Sequence, residues 1–206
     1  MGKILCVRPK KISGGESVSK EDKPVELFEA LDSRGKPTGE LKTRTRILED
    51  GDWRKVTHVW VMNAPDQIIV QQRAHKGLWD DLWDVSVGGG VSAGEEPGHA
   101  AARELGEELG IEASEAELNN LGRWDTTKPL PELSVEAREF SYSFLLRKSV
   151  TLDELTVATR EVADTKEISL DNLHKAITDQ SEYKKWVPHP RKYYLGVIAL
   201  IKAQNW

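Results

Sequence analysis

One stretch of the sequence constrains the fold more than any other: GGGVSAGEEPGHAAARELGEELGI, residues 88–111. It opens with three glycines and contains five glutamates. Pro97 is suited to the first turn of a helix, where its missing N–H leaves no hydrogen bond unmade. Gly110 is suited to the left-handed position just past a helix end. The stretch therefore predicts a glycine-rich loop followed by a helix between these two residues.

The predicted helix carries an acidic face. Glu104, Glu107 and Glu108 are spaced by three and four residues, which places them on one side of a helix. We expect this stripe to point outward, while Ala102, Leu105 and Leu109 pack inward. Like charges at this spacing destabilise a helix by about 0.2–0.5 kcal/mol, and a hard divalent cation would remove the repulsion. The glutamates alone leave two interpretations open, a solvated charged surface or a cation site.

The composition of the 206-residue chain excludes several classes of protein. With 38% hydrophobic and 31% charged residues it is typical of a globular protein, and its net charge of −5 gives no broad basic face for nucleic acid. No apolar run reaches the roughly 18 residues of a membrane span. The single cysteine, Cys6, cannot form an intramolecular disulfide, which favours a reducing compartment. We expect a cytoplasmic protein, although the sequence leaves an organelle address open.

The chain is predicted to hold one folded domain. Residues 1–24 include a polar segment, KKISGGESVSKEDKP, and are expected to form a flexible lead-in, with the domain spanning residues 25–206. Apolar alternation predicts strands at 57–64, 67–73 and 138–147, and WDVSVGGG predicts a short strand that runs into the glycine loop. Helical spacing predicts helices at 169–178 and 191–203. This mixture indicates the α/β class.

The acidic stretch resembles the Nudix box. The pattern is glycine, five residues, glutamate, seven residues, Arg-Glu-Leu, one residue, Glu-Glu, one residue, Gly-Ile, running from Gly89 to Ile111. The resemblance implies a Nudix α/β/α sandwich with a mixed β-sheet. It also implies a divalent-metal-dependent hydrolase that cleaves a diphosphate linkage in a nucleoside diphosphate derivative or another small organic diphosphate. The resemblance alone allows a homodimer.

The resemblance also implies roles for single residues. Glu104, Glu107 and Glu108 would hold Mg²⁺ or Mn²⁺, and the carbonyl of Gly88 or Gly89 would add a ligand. Glu95 would support the site through water or through Arg103. Arg103 would orient one of the ligand glutamates. Outside the box, Glu139 is a candidate for an extra acid, an extra ligand or a substrate contact. Its alternative is a surface carboxylate on an edge strand.

Residues before the box are candidates for binding the substrate. Arg73 and Lys76 lie where the second predicted strand enters the loop before the box and could contact phosphates; the alternative is a solvated strand end. Trp79 is large enough to stack on a base or line an apolar pocket, or to pack within the domain. For Trp83 we favour packing.

Two other functions compete with hydrolysis. ELFEALDSRGKPTGE and QQRAHKGLWDDLWDVSVGGG resemble the Nudix branch that includes isopentenyl-diphosphate isomerase. The isomerases need a cysteine in the strand before the box, where this chain has Ser86, and a hydroxyl replaces a thiol poorly in that chemistry. Isomerisation is therefore not expected. A non-catalytic Nudix-like module that binds or senses a ligand would be expected to have lost box glutamates, and here all three remain.

Overall fold

The computed structural model describes residues 25–75 and 78–204. The predicted lead-in of residues 1–24 and the predicted phosphate contact Lys76 lie outside these ranges. Both stay predictions.

The described residues form a mixed sheet of nine strands together with five α-helices. The strands are β1 (Phe28–Leu31), β2 (Pro37–Lys42), β3 (Trp53–Ala64), β4 (Gln67–Arg73), β5 (Trp83–Asp84), β6 (Val87–Gly90), β7 (Leu118–Leu130), β8 (Val135–Arg147) and β9 (Val162–Ser169). The helices are α1 (Arg44–Asp50), α2 (Pro97–Leu109), α3 (Leu170–Thr178), α4 (Gln180–Tyr183) and α5 (Arg191–Lys202).

The long strand β3 organises the sheet. One of its halves pairs with β4 through a turn at Pro65 and Asp66, and the other half pairs with β6, so β4 and β6 leave β3 at different heights. On its other edge β3 runs parallel to β8, while β1, β4 and β6 are antiparallel to it. Strand β7 extends the sheet beyond β8, and β9 pairs with β4. The sheet is therefore mixed, as predicted.

Alternating residues of β3 pack against helices on opposite faces of the sheet. Trp60 and Met62 join a core cluster with residues of α3 and α5. Val59 and Val61 join a second cluster with Leu105 and other residues of α2. Side chains in a strand point alternately to either face, and both faces here are covered. This confirms the α/β/α sandwich.

Helix α2 forms where the sequence predicts it. Pro97 occupies its first turn, and Gly110 follows it with φ of 68°. A side chain at Gly110 would also meet Cβ of Thr156 at 2.7 Å, so both backbone shape and crowding require glycine here. None of the described helices is long and apolar enough to cross a membrane.

The predicted glycine loop is a strand in the structure. Gly88, Gly89 and Gly90 are the last residues of β6 and pair with residues of β3. Glycine is uncommon within strands, and it occurs where another part of the molecule approaches the backbone closely. The prediction of a loop was wrong because the sequence does not show which groups crowd this segment.

Candidate active site

A cleft of about 620 Å³ opens where β4 and β6 separate beside α2. Most of the residues predicted to act in the site line it: Arg73, Trp79, Gly88, Arg103, Glu104, Glu107, Glu108 and Glu139. Glu95 lies directly behind Arg103. The cleft therefore brings together box residues and residues from distant strands.

Arg103 links the acidic residues to one another. Its Nε and Nη2 donate to the two carboxylate oxygens of Glu95, each at 3.0 Å. Its Nη1 lies 2.9 Å from Glu104 Oε1 and 3.5 Å from Glu107 Oε1, and Nη2 also donates to the carbonyl of Gly90 at 3.2 Å. A planar guanidinium with several donors is suited to this multiple role. Arg103 thus fixes Glu104 against β6.

We call Glu104, Glu107 and Glu108 the acidic wall of the cleft. Glu107 is exposed, but Glu104 and Glu108 retain only 8% and 5% of their exposure, so the prediction of an outward stripe was wrong for these two. They lie next to Leu105 and Leu109, at the border of the packed face, and β6 and Gln71 cover them. Gln71 Nε2 donates to Glu108 Oε2 at 2.9 Å.

Burial changes the acidity of both residues. It raises the pKa of Glu104 to about 7, against the opposing effect of Arg103. Burial also raises the pKa of Glu108 to about 8, and the nearby charge of Glu104 adds to the effect. Two carboxylates are thus held close together in a poorly solvated place, with Arg103 as the partner of only one of them.

Gly89 leaves free the space that the Glu104 carboxylate occupies. A Cβ added to Gly89 would lie 2.1 Å from the Glu104 carboxylate. Strand β6 can therefore approach α2 only with its bare backbone at this point. The glycine of the box and its first glutamate form one packing unit.

The chemistry of the acidic wall fits a divalent cation. Its donors are carboxylate oxygens, which hard cations prefer, and a cation would offset both the burial and the repulsion by Glu104 that raise the pKa of Glu108. Within residues 25–75 and 78–204, no three acidic, histidine or cysteine side chains are already grouped as metal ligands. Arg103 Nη1 contacts only Oε1 of Glu104 and of Glu107, and this contact leaves the second oxygen of each carboxylate for a cation.

A second group of charges lies in the same cleft, and we call Arg44, Arg54 and Lys128 its basic floor. Arg54 Nη2 and Lys128 Nζ lie 2.8 Å and 2.7 Å from the carboxylate oxygens of Glu139. Glu139 is only 2% exposed, so the alternative of a surface carboxylate was wrong. The structure places it among buried cations, on a strand with neighbours on both sides.

The other candidate residues divide between two surfaces. Arg73 Nη1 lies 3.5 Å from Asp84 Oδ2, and Trp79 lines the cleft with its ring 4.6 Å from Lys128 Nζ. The indole N–H of Trp79 donates to the carbonyl of Pro129 at 3.2 Å. Trp83 instead lines a separate groove, where Lys166 Nζ covers its ring at 3.6 Å. The two tryptophans are therefore not a pair.

Sequence reasoning missed several residues of the cleft: Arg44, Arg54, Gln71, Asp84 and Lys128. They come from five different elements and carry no spacing pattern. The sequence offered one signal, because Arg54 and Glu139 are opposite charges within two apolar segments. In the structure these two residues are direct neighbours in the β3–β8 pairing.

Comparisons with known proteins find relatives of one family. The NUDIX domain model matches residues 52–189. A Nudix hydrolase of Listeria monocytogenes is 29% identical over 168 residues, covering 77% of this chain and 88% of the relative. A Nudix hydrolase of Pseudomonas aeruginosa is 32% identical over 63% of this chain and 83% of its own. Isopentenyl-diphosphate Delta-isomerase of Escherichia coli is 33% identical, over 42% of this chain and 48% of its own.

Solved structures share the fold. A Deinococcus radiodurans protein superposes with a TM-score of 0.61 at 22% identity, covering 84% of this chain and 97% of its own. A MutT protein from Methanosarcina mazei gives 0.56 at 17% identity, covering 73% and 96%. The family match includes β3 to β8 and all of α2, and it covers well over half of the chain. The chain belongs to the Nudix family and is a Nudix pyrophosphohydrolase.

Proposed function

We propose that this protein uses Mg²⁺ or Mn²⁺ to cleave the diphosphate linkage of a nucleoside diphosphate derivative or another small organic diphosphate. The observation that carries the proposal is the acidic wall, in which two buried carboxylates face an open cleft. Such a pair is costly without a cation, and it is placed beside a cavity that can admit one. A solvated surface stripe would have no such burial.

The residues of the cleft then have distinct tasks. Glu104, Glu107 and Glu108 hold the cation, Gln71 fixes Glu108, and Arg103 with Glu95 fixes Glu104. A bound divalent cation neutralises diphosphate oxygens and lowers the pKa of a coordinated water. A carboxylate of the cleft accepts the proton of the attacking water. Metal dependence is general in the family, which supports these assignments.

The opposite side of the cleft is suited to the anionic substrate. Arg73 lines the cleft, close enough to Glu108 for its charge to oppose the rise in the pKa of that carboxyl. A guanidinium can form paired hydrogen bonds with phosphate oxygens. Trp79 is held beside Arg73 and Lys128 and can cover a flat group of the substrate. These contacts bind and orient the substrate.

The surroundings of Ser86 argue against an isomerase. Its side chain is fully buried, accepts a hydrogen bond from Val61 N at 2.7 Å and donates to the carbonyl of Ile69. It joins β3 to β4 and is not one of the described residues that line the cleft. A hydroxyl that is buried in the sheet and both donates and accepts a hydrogen bond there cannot exchange protons with a substrate carbon.

The proposal is tested by screening diphosphate compounds with Mg²⁺ and with Mn²⁺ for release of phosphate or monophosphate. On the best substrate, Glu108→Gln should lower kcat at least about 100-fold, because a metal ligand contributes several kcal/mol to the transition state. Glu112→Gln, an exposed glutamate just beyond α2, should keep full activity. Mg²⁺ should raise the melting temperature of the parent and not of Glu108→Gln. Equal turnover by Glu108→Gln and the parent would refute the assignment.

A further inference from the structure

The basic floor holds three cations; Glu139 contacts two of them directly, while Glu26 acts on Arg44 and Asp84 acts on Lys128 from a distance. Arg54 and Lys128 are 6% and 5% exposed, and both depend on the single carboxylate of Glu139. One carboxylate therefore serves two buried cations, and Arg44 adds a third positive charge to the same cleft. Buried charges are normally paired within the protein, so this arrangement needs an explanation.

Arg44 is the least compensated of the three cations. Its guanidinium makes no hydrogen bond or ion pair with any residue in the described ranges, and its Nε is shielded from solvent without a partner. Burial lowers the pKa of Arg44 to about 10, and repulsion by Arg54 adds to the effect. Arg46, two residues along α1, is exposed and pairs with Asp50 at 2.9 Å. Of the two arginines of α1, Arg44 lines the cleft and lacks a partner, whereas Arg46 faces solvent and has one.

The basic floor and the acidic wall lie on opposite sides of β6. A Cβ at Gly89 would collide with Glu104, whereas a Cβ at Gly90 would meet the Phe28 ring and come within 3.1 Å of Arg54 Nη1. Successive residues of a strand point to opposite faces, so the two charge groups are separated by the thickness of that strand. An anion bound by Arg54 would therefore lie on the other face of β6 from Glu104.

We propose that the basic floor is a subsite for a second oxyanion, a phosphate or carboxylate group that the ligand carries apart from the diphosphate that is cleaved. The subsite deepens the proposed function, because it narrows the substrate to diphosphate compounds with a further acidic group. Arg44 and Arg54 donate to the oxyanion, and the pair of Lys128 with Glu139 holds the floor in place. Binding supplies the directly bonded counterion that Arg44 lacks among the described residues.

The test uses the full chain in EDTA, so that no divalent cation contributes. Sodium phosphate and sodium acetate are titrated separately against the parent, Arg44→Met and the matched control Arg46→Gln, by calorimetry and by melting temperature. The parent and Arg46→Gln should bind the anion, and Arg44→Met should bind it about 10- to 100-fold more weakly, the value of a hydrogen-bonded charge. Stronger binding of phosphate than of acetate would identify the group as a phosphate, and the reverse as a carboxylate.

The melting temperature separates a binding role from a structural one. Without added anion, Arg44→Met should melt no lower than the parent, because it removes a charge that has no partner. The parent should gain stability from the anion, and Arg44→Met should not. Arg44→Gln repeats the measurement with a polar side chain in case the methionine variant does not fold.

Anion binding by Arg44→Met equal to that of the parent would overturn the subsite. This outcome is distinct from failure of the proposed function, since it needs no metal and no turnover. A chain that binds phosphate through Arg44 but hydrolyses no diphosphate would keep the subsite and lose the proposed reaction.

Discussion

The acidic wall and the basic floor are opposite in charge and differ in how firmly they are held. In each group of like charges two members contact one counterion: Arg103 contacts Glu104 and Glu107, and Glu139 contacts Arg54 and Lys128. The Arg103 side chain is 32% exposed, whereas that of Glu139 is 2% exposed. Arg103 can therefore shift towards solvent when a cation enters, while Glu139 is fixed. The comparison indicates one side of the cleft that rearranges and one that is preformed.

The largest effect on stability is expected from Glu139→Gln. The substitution keeps the shape of the side chain but leaves Arg54 and Lys128 buried without a counter-charge, which should cost about 3–5 kcal/mol. The free energy of unfolding in urea measures this cost. Glu136→Gln, an exposed glutamate on the same strand, is the control and should change stability by less than about 0.5 kcal/mol. A loss for Glu139→Gln as small as that of the control would mean that the floor is not preformed by charge.

The pH dependence of this effect has a defined sign. Burial disfavours the charged form of Glu139, but Lys128 and Arg54 outweigh it and hold its pKa well below 4.5. A carboxylate with a lowered pKa contributes its full stability above its unfolded value and loses it as the pH falls. The difference in unfolding free energy between parent and Glu139→Gln should therefore be constant above about pH 5 and shrink below it. Added phosphate should stabilise Glu139→Gln more than the parent.

The two groups also differ in how well the sequence predicts them. Every member of the acidic wall lies on α2, so its glutamates and Arg103 were found from spacing and resemblance alone. Helical periodicity fixes their positions relative to one another but not against the sheet, which is why the burial of Glu104 and Glu108 was missed. The basic floor is built from α1, β3 and β7, and its counterion Glu139 lies on β8. The pairing of β8 with β3 and with β7 brings Arg54, Lys128 and Glu139 together.

A smaller effect is expected at the counterion of the acidic wall. Glu95→Gln removes one charge from the paired contact with Arg103, and Arg103 then holds Glu104 less firmly. Residues that orient a ligand typically contribute about 10- to 100-fold, so kcat should fall by that factor while the fold is retained. The Mg²⁺ concentration for half-maximal rate should rise together with the fall in kcat. Glu96→Gln, the exposed neighbour, is the control, and equal effects of the two variants would contradict a specific role for Glu95.

The smallest effects are expected from alanine substitutions at two glycines of the box, Gly106 and Gly89. Gly106→Ala places a methyl group on the exposed side of α2, where nothing lies within 4 Å, and should stabilise the protein by about 1 kcal/mol. Gly89→Ala places the same group 2.1 Å from the Glu104 carboxylate and should cost about 1–3 kcal/mol through overpacking. Because the side chain of Glu104 must move, Gly89→Ala should also weaken the rise in melting temperature that Mg²⁺ produces, whereas Gly106→Ala should leave it unchanged. If Gly89→Ala instead kept the full Mg²⁺ response, the contact of β6 with Glu104 would be a packing feature without influence on the acidic wall.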